Sequence, residues 1–195
     1  MTASEASCEA MSDNELLGRW AAGCQAAGGM LIDRHFAAVH RFFRNKVRSE
    51  SDVEDLVQQT LLSCLDARAR FRQDGSFRSF LLGIARLQLF SHYRSAQRSR
   101  DCDFGVTSLR DLGTSPSRRC IREEDERLLS RALVRLPLDV QIILELTYYE
   151  GLDGPEIARV LEVPLNTAYS RMRRARQSLS EMFETLASDR APPTA

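Results

Sequence analysis

Residues 154–176 read GPEIARVLEVPLNTAYSRMRRAR, and the spacing of their apolar side chains indicates two helices joined by a short turn. Pro155 suits the first turn of a helix, where its missing N–H has no intrahelical partner to lose. Ile157, Ala158 and Leu161 form a short apolar edge, and the three residues that follow turn the chain. A long second helix then presents one apolar face, made of Leu165, Ala168, Met172, Ala175, Leu179, Met182 and Leu186. The segment is therefore predicted to be a helix-turn-helix.

The second helix of this pair concentrates positive charge. Between Pro164 and Ser180 the chain has four arginines and no acidic residue, although the formal net charge of the whole protein is zero. A helix placed in the major groove offers its first turns to base edges while arginines neutralise phosphates. The alternative is a basic amphipathic helix that lies on a partner protein, but the short-helix, turn, long-helix order favours DNA. The predicted DNA-facing side carries Asn166, Ser170, Arg173, Arg174 and Gln177, flanked by Tyr169 and Arg171.

The N-terminal part of the chain also has helical spacing and lacks clean two-residue alternation, so the fold class is predicted to be all-α. Ser12 and Glu15 have the spacing of a capping box. The helix that follows is predicted to present Leu16, Leu17, Trp20, Ala21 and Cys24 on one face and to be broken by Gly28 and Gly29. A second helix is predicted to bury Phe36, Val39, Phe43 and Val47.

The strongest apolar stripe belongs to the third helix and leaves a polar ridge on the other side. The ridge consists of Asp55, Gln58 and Gln59. The stripe, spaced three and four apart, consists of Val53, Leu56, Val57, Thr60, Leu61, Cys64 and Leu65. Asp74 and Gly75 indicate a turn, and a fourth helix is predicted to run to about Arg98, with its apolar face formed by Phe77, Phe80, Leu81, Ile84 and Ala85.

Two compact domains on one chain are predicted, because helical periodicity stops near residue 99 and returns near residue 122. Between them Ser, Thr, Asp, Gly and Pro accumulate, a composition typical of flexible linkers. Pro137 separates two further apolar stripes, Leu128, Leu129, Ala132, Leu133 and Leu136 on one side, and Ile142, Ile143, Leu146 and Thr147 on the other. The predicted organisation is a disordered segment 1–11, a helical domain 12–98, a linker 99–122, a helix-turn-helix domain 123–187 and a disordered tail 188–195.

Several classes of function are excluded by what the chain lacks. It has no Gly-rich phosphate loop, no His and Cys set with metal-ligand spacing, and no nucleophile beside an evident base, so no enzyme, cofactor, metal site or small-molecule substrate is expected. It has no charged-then-apolar leader and no apolar run of membrane-spanning length, which favours a cytoplasmic location without membrane insertion. The five cysteines form no Cys-x-x-Cys pair and are interpreted as reduced thiols, with a redox pair between Cys102 and Cys120 as the alternative.

The chain resembles the extracytoplasmic-function (ECF) group of sigma factors in two places. Region 2 of that group is similar to DLVQQT at residues 55–60 and to residues 77–86, which end in Ile84-Ala85-Arg86. Region 4 is similar to a set of motifs formed by Leu136-Pro137, LTYYEGL at residues 146–152, Glu156-Ile157-Ala158, Val163-Pro164, Thr167, Ser170-Arg171 and Arg174-Ala175-Arg176. Both resemblances occur in the family's order, with a linker between them, and together they cover nearly all of the chain outside the linker and tails.

The resemblance implies a sigma region 2 bundle that binds core RNA polymerase and the −10 promoter element, and a region 4 helix-turn-helix that binds the −35 element. It assigns polymerase binding to Asp55, Gln58 and Gln59. It assigns −35 binding to Asn166, Thr167, Tyr169, Ser170, Arg171, Arg173 and Arg174. It assigns −10 binding, with capture of unpaired bases during promoter opening, to Phe71, Arg72, Asp74, Arg86, Gln88, Ser91, His92 and Arg94. An anti-sigma protein is a further expected partner.

The sequence departs from the family pattern at some of these positions. Leu87 stands where the family usually has Asn, and an apolar side chain cannot donate a hydrogen bond to a base edge. Gly154-Pro155 and Asn166 are also unusual and are expected to alter the −35 preference. The alternative function is a helix-turn-helix regulator that acts without polymerase, in which the first domain would be a sensor or dimerisation module.

Overall fold

The computed structural model describes residues 11–67, 75–99 and 121–188. These residues form eight α-helices and one π-helical turn. Helices α1 to α4 span Asp13–Ala21, Gln25–Arg44, Glu50–Ala67 and Phe77–Ser99. Helices α5 to α8 span Ile121–Arg135, Leu138–Leu144, Gly154–Leu161 and Leu165–Ser188, and the π-helical turn Glu145–Tyr149 continues α6. No strand occurs in the described ranges, which confirms the predicted all-α fold.

The chain divides into two compact units, one containing α1 to α4 and the other containing most of the later helical residues. The two-domain architecture is therefore confirmed, while the exact domain boundaries stay predictions. The predicted N-terminal segment, most of the linker, the tail and the cysteines Cys8, Cys102 and Cys120 lie outside the described residues. Within the described ranges, no helix combines the length and the apolar character needed to cross a membrane.

Helices α1 and α2 pack closely at Gly28, one of the two glycines that were predicted to break the first helix. Ser12 and Glu15 form the predicted capping box at the start of α1. The helix break, however, falls at Gly23, whose φ is 97°, and α2 runs straight through Gly28 and Gly29. Gly28 lies under the indole of Trp20, and a Cβ at that position would come within 2.6 Å of Trp20 Cδ1. A helical glycine costs only about 1 kcal/mol relative to alanine, so close helix packing outweighs the low helix propensity.

The core of the N-terminal unit is formed where α1 to α4 face one another. The buried apolar side chains common to sequence and structure are Leu16, Leu17, Trp20, Val39, Phe43, Val47, Val53, Leu56, Val57, Cys64, Phe77, Leu81 and Ala85. The prediction was wrong for Phe36, which is 44% exposed, and for Leu65, which is 37% exposed. Ala21, the last residue of α1, and Cys24, which follows the helix break, are exposed as well.

The C-terminal unit packs its helices against α8. Leu128 and Ala132 of α5 form a small buried cluster with Leu186 of α8. Pro137 lies between α5 and α6, as the sequence predicts, at the N-cap position of α6, and the buried residues of α6 include Ile142 and Ile143. Two residues predicted to be in the core, Leu129 and Leu165, are instead 38% and 42% exposed.

Candidate nucleic-acid and protein interfaces

The short helix α7 is fixed at its start by two reciprocal hydrogen bonds. The N–H of Glu156 donates to Asp153 Oδ1 at 2.8 Å, and the N–H of Asp153 donates to Glu156 Oε2 at 3.1 Å. This is a capping box with aspartate in place of serine or threonine. After α7, Glu162 adopts a left-handed φ of 54°, and the N–H of Ala168 donates to the Pro164 carbonyl where α8 begins. The helix-turn-helix predicted from the spacing is therefore present, with a defined turn.

Helix α8 separates a buried apolar face from an exposed basic face. Ala168, Met172 and Ala175 are buried in the unit. The four arginines of its first half are all exposed, namely Arg171, Arg173, Arg174 and Arg176. Across the described residues, none of these four guanidinium groups pairs with a carboxylate. The positive charge on this face is therefore open to an external anion.

The other side chains predicted to read the −35 element lie around the same face. Asn166, Tyr169 and Arg173 are exposed and recur at intervals of three and four, so they lie on one side of the helix. Thr167 and Ser170 are half-buried, and the Ser170 hydroxyl donates to the Thr167 carbonyl at 2.9 Å. The Ser170 oxygen can still accept a hydrogen bond, whereas its proton is already used.

The second predicted DNA surface lies on α4. The Arg86 guanidinium lies 5.1 Å from the centre of the Phe90 ring, within range of a cation–π contact, and Arg94 Nε donates to the Phe90 carbonyl. Ser91 and Arg94 are exposed, and Leu87, between Arg86 and Gln88, is 45% exposed. Phe80 is only half-buried, in contrast to Phe77 at 1% exposure. The predicted loop residues Phe71, Arg72 and Asp74 lie outside the described residues.

A polar groove between α3 and α4 joins side chains that the sequence assigned to separate functions. Its volume is about 230 Å³, and its lining consists of Asp52, Asp55, Leu56, Gln59, Gln88, Ser91, His92 and Ser95. Asp55 and Gln59 are predicted polymerase contacts, whereas Gln88, Ser91 and His92 are predicted −10 contacts. Gln88 Nε2 donates to Ser63 Oγ at 2.9 Å, which links the two helices at this groove. The two predicted sites are therefore adjacent.

An apolar groove between α2 and α3 was missed by the sequence reasoning. Its volume is about 280 Å³, and its lining consists of Phe36, His40, Glu54, Val57, Gln58, Leu61, Leu62 and Leu65. Leu62 is 53% exposed and lies off the buried stripe of α3. An apolar residue outside the predicted stripe was the sequence feature that could have indicated this groove. Exposed apolar grooves of this kind are typical of protein-binding surfaces. Gln58, a predicted polymerase contact, lies at its edge.

Polar contacts support the helices of the N-terminal unit. Asp13 accepts hydrogen bonds from Arg34 at 2.6 Å and pairs with His35 at 2.7 Å, which joins α1 to α2. Burial by itself would raise the pKa of Asp13, but its hydrogen bonds with Arg34 and His35 outweigh burial and hold that pKa below its ordinary value. Just after the end of α2, the fully buried Lys46 donates from Nζ to the Phe42 carbonyl at 2.8 Å. The Asp13 contacts therefore hold α1 against α2, the helix that lines one side of the apolar groove.

Comparison with known protein families matches both units. Residues 31–99 match the family described as Sigma-70 region 2, and residues 126–179 match the family described as Sigma-70, region 4. The first match contains α3 and α4 with both grooves, and the second contains α7 and most of α8. Each predicted surface in the described residues therefore lies inside a matched region.

Comparison with whole proteins extends this likeness over most of the chain. The chain is 33% identical over 178 residues to RNA polymerase sigma factor NccH of Alcaligenes xylosoxydans xylosoxydans. This alignment covers 89% of the present chain and 95% of NccH. The chain is also 28% identical over 190 residues to the ECF RNA polymerase sigma-E factor of Haemophilus influenzae, covering 91% and 98% of the two chains. The solved structure of CnrH in complex with the cytosolic domain of CnrY has a TM-score of 0.63, with 28% identity, covering 89% of this chain and 97% of that chain. The chain therefore belongs to the ECF group of the sigma-70 family and is an alternative sigma factor that acts in transcription initiation.

Proposed function

We propose that this sigma factor binds core RNA polymerase through α3, reads the −35 element with the first turns of α8, and holds the −10 element on α4. The observation that carries the proposal is the exposed side of the first part of α8, up to Ser180, which has four arginines and no acidic residue. A helix with this charge and this turn before it fits the major groove, where arginines contact phosphates and guanines. The proposal assigns the protein no catalytic role of its own.

The −35 contacts proposed for α8 divide into base-reading and phosphate-binding side chains. Asn166, Tyr169 and Arg173 share one exposed side of the helix and face base edges, while Arg174 contacts a phosphate. Replacing Arg174 by alanine then weakens promoter binding on all sequences alike and reduces the slope of log affinity against log salt by about one. Gln177→Ala, an exposed uncharged neighbour, is the matched control and leaves the slope unchanged. An unchanged slope for Arg174→Ala would refute its phosphate contact.

Core polymerase is proposed to dock on α3, where the polar ridge meets the apolar groove. Asp55, Gln58 and Gln59 supply hydrogen bonds, and the groove supplies apolar area that is open in the free chain. Leu62, at 53% exposure, is a sensitive probe of this contact because its side chain supports little of the fold. Losing the burial of one leucine lowers affinity by about tenfold or more.

The docking experiment compares Leu62→Asp with Leu129→Asp, since Leu129 is also exposed but lies in the other unit. Affinity of each full-length variant for purified core polymerase is measured by fluorescence anisotropy. A selective loss for Leu62→Asp supports the docking surface. Equal affinities for the two variants would refute docking of core polymerase at the α2–α3 groove.

Promoter opening is proposed to use α4 with the loop before it. Arg86 and Arg94 attract the backbone, and Gln88, Ser91 and His92 meet unpaired bases at the polar groove. The loop contacts assigned to Phe71, Arg72 and Asp74 remain part of this proposal. Base capture offsets the cost of a few kcal/mol for unstacking a base.

An inhibitory partner protein is also proposed, of the anti-sigma type. It is supported by the likeness to CnrH, which was solved in complex with the cytosolic domain of CnrY. The exposed apolar groove of α2 and α3 is suited to a partner helix. Purification of the chain from its native cells, followed by mass spectrometry, is expected to recover a small binding protein that lowers transcription in vitro.

Transcription in vitro from a promoter library tests the whole proposal. Core polymerase with the purified chain is expected to produce start-site-specific transcripts, and sequencing them identifies both promoter elements. If the chain produced no such transcript while binding duplex DNA, the regulator without polymerase would be the better description.

A further inference from the structure

A close contact between α7 and α8 gives one DNA-facing side chain a fixed position. Gly154 is buried at the start of α7, and a Cβ there would lie within 2.6 Å of Tyr169 Cζ and 2.8 Å of its hydroxyl oxygen. The backbone at Gly154 is not in the left-handed region, since the positive-φ glycines of the described chain are Gly23 and Gly151. The absence of a side chain at 154 is therefore required for space and not for conformation.

The ring that Gly154 accommodates is half open to solvent. Tyr169 is 50% exposed, although one side of its ring rests on α7. The start of α7 cannot easily shift, because Asp153 and Glu156 cap it with reciprocal hydrogen bonds. Tyr169 therefore presents a positioned aromatic edge on the side of α8 that also carries Asn166 and Arg173.

A second exposed apolar side chain lies one helical turn before Tyr169 on the same side of α8. Leu165 is 42% exposed and precedes Tyr169 by four residues, the interval that brings side chains together on a helix surface. Leu165 has no hydrogen-bonding group, so contact with a phosphate or a polar base edge cannot explain its exposure. In the major groove, the apolar group that a base pair offers is the 5-methyl of thymine.

We infer that Leu165 and Tyr169 form an apolar contact for the 5-methyl group of one thymine in the −35 element, and that Gly154 is the positioning residue for this contact. The inference rests on the proposed −35 function of α8 and deepens it by naming the recognised group. A phosphate contact by the Tyr169 hydroxyl would leave Leu165 unexplained, which is why the methyl group is favoured.

The test removes the methyl group alone. In a promoter selected with the holoenzyme, each thymine of the −35 element, on either strand, is replaced in turn by deoxyuridine, and holoenzyme affinity is measured by competition. At one position the wild-type protein is expected to lose about fourfold in affinity, as for one buried methyl group. Tyr169→Ala abolishes the difference between thymine and uracil at that position, while Tyr169→Phe keeps it.

Gly154→Ala tests the positioning role, since its Cβ displaces the ring while leaving Tyr169 in the chain. It is expected to reduce the thymine preference, and to have no further effect on that preference in the Tyr169→Ala background. Tyr148→Ala, which removes a tyrosine that is 63% exposed outside α8, is the matched control and keeps the preference. Circular dichroism of each variant checks that the fold is retained.

The outcomes separate this inference from the function on which it rests. If the holoenzyme binds the promoter with the expected dependence on Arg174 but shows no thymine preference at any −35 position, the methyl contact is refuted and the −35 role stands. If Tyr169→Phe weakens promoter binding as much as Tyr169→Ala does, and a thymine preference persists in both variants, the Tyr169 hydroxyl makes a polar contact with DNA and the inference is also refuted. If α8 substitutions leave promoter binding unchanged, the −35 role itself fails.

Discussion

Adding one methyl group at residue 28 tests the packing between α1 and α2 most directly. In Gly28→Ala the new Cβ would meet the indole of Trp20 within 2.6 Å, so the ring or the helix must shift. Overpacking of this kind costs about 1–3 kcal/mol, against a gain of about 1 kcal/mol from the better helix propensity of alanine. The expected net change is therefore a loss of stability between about 0 and 2 kcal/mol.

Gly29→Ala is the matched control, because residue 29 is adjacent on the same helix and its Cβ would meet nothing within 4 Å. It gains the same propensity of about 1 kcal/mol without overpacking. The difference between the two variants isolates the clash and is expected to be about 1–3 kcal/mol.

Urea denaturation of the full chain measures both variants, with fluorescence of Trp20 as the probe. Trp20 is the one tryptophan of the sequence, so its emission reports the contact under test as well as unfolding. Gly28→Ala is expected to shift the midpoint to lower urea and to change the native emission. If Gly28→Ala were as stable as Gly29→Ala, the tight α1–α2 contact at Gly28 would be refuted.

Three further predictions concern single side chains. Burial raises the pKa of the Cys64 thiol to about 12, so iodoacetamide at pH 8 is expected to label exposed Cys24 but not Cys64 until the chain is unfolded, as peptide mass mapping would detect; equal labelling would contradict this burial. The pKa of Asp13 is lowered, so its carboxylate stabilises the native chain fully at pH values above its ordinary pKa of 3.8 and loses this effect as the pH falls through the lower native pKa. The difference in stability between wild type and Asp13→Asn is therefore expected to shrink towards pH 3 in urea denaturation. A difference that stays constant with pH would rule out this linkage. Asp153→Ala removes the cap of α7 and is expected to lower the free energy of unfolding of the C-terminal unit by about 1 kcal/mol in urea denaturation, whereas no change would mean that the cap contributes nothing.

Local patterns predicted the helices of both units because a helix repeats every 3.6 residues, and this period is visible without any tertiary contact. The stripe of α3, the turn after α7 and the basic side of α8 follow from that period and from the absence of acidic residues. The capping box at Ser12 is equally local, since its partners are three residues apart. The candidate site residues on α3, α4 and α8 could be located from the same helical period, whereas their roles came from the family resemblance.

What the sequence determined by itself was therefore which residues share a helix face and how those faces are charged. Tertiary structure alone decided which part of an apolar face is covered. Phe36 and Leu165 have helical spacing suited to a core but remain exposed, Phe36 in the open apolar groove between α2 and α3. It likewise decided that Gly28 packs under Trp20, that Tyr169 rests on Gly154, and that α3 and α4 share one polar groove. The physical reason is that periodicity is a property of a single helix, whereas the burial of a side chain depends on how closely a second helix packs against it.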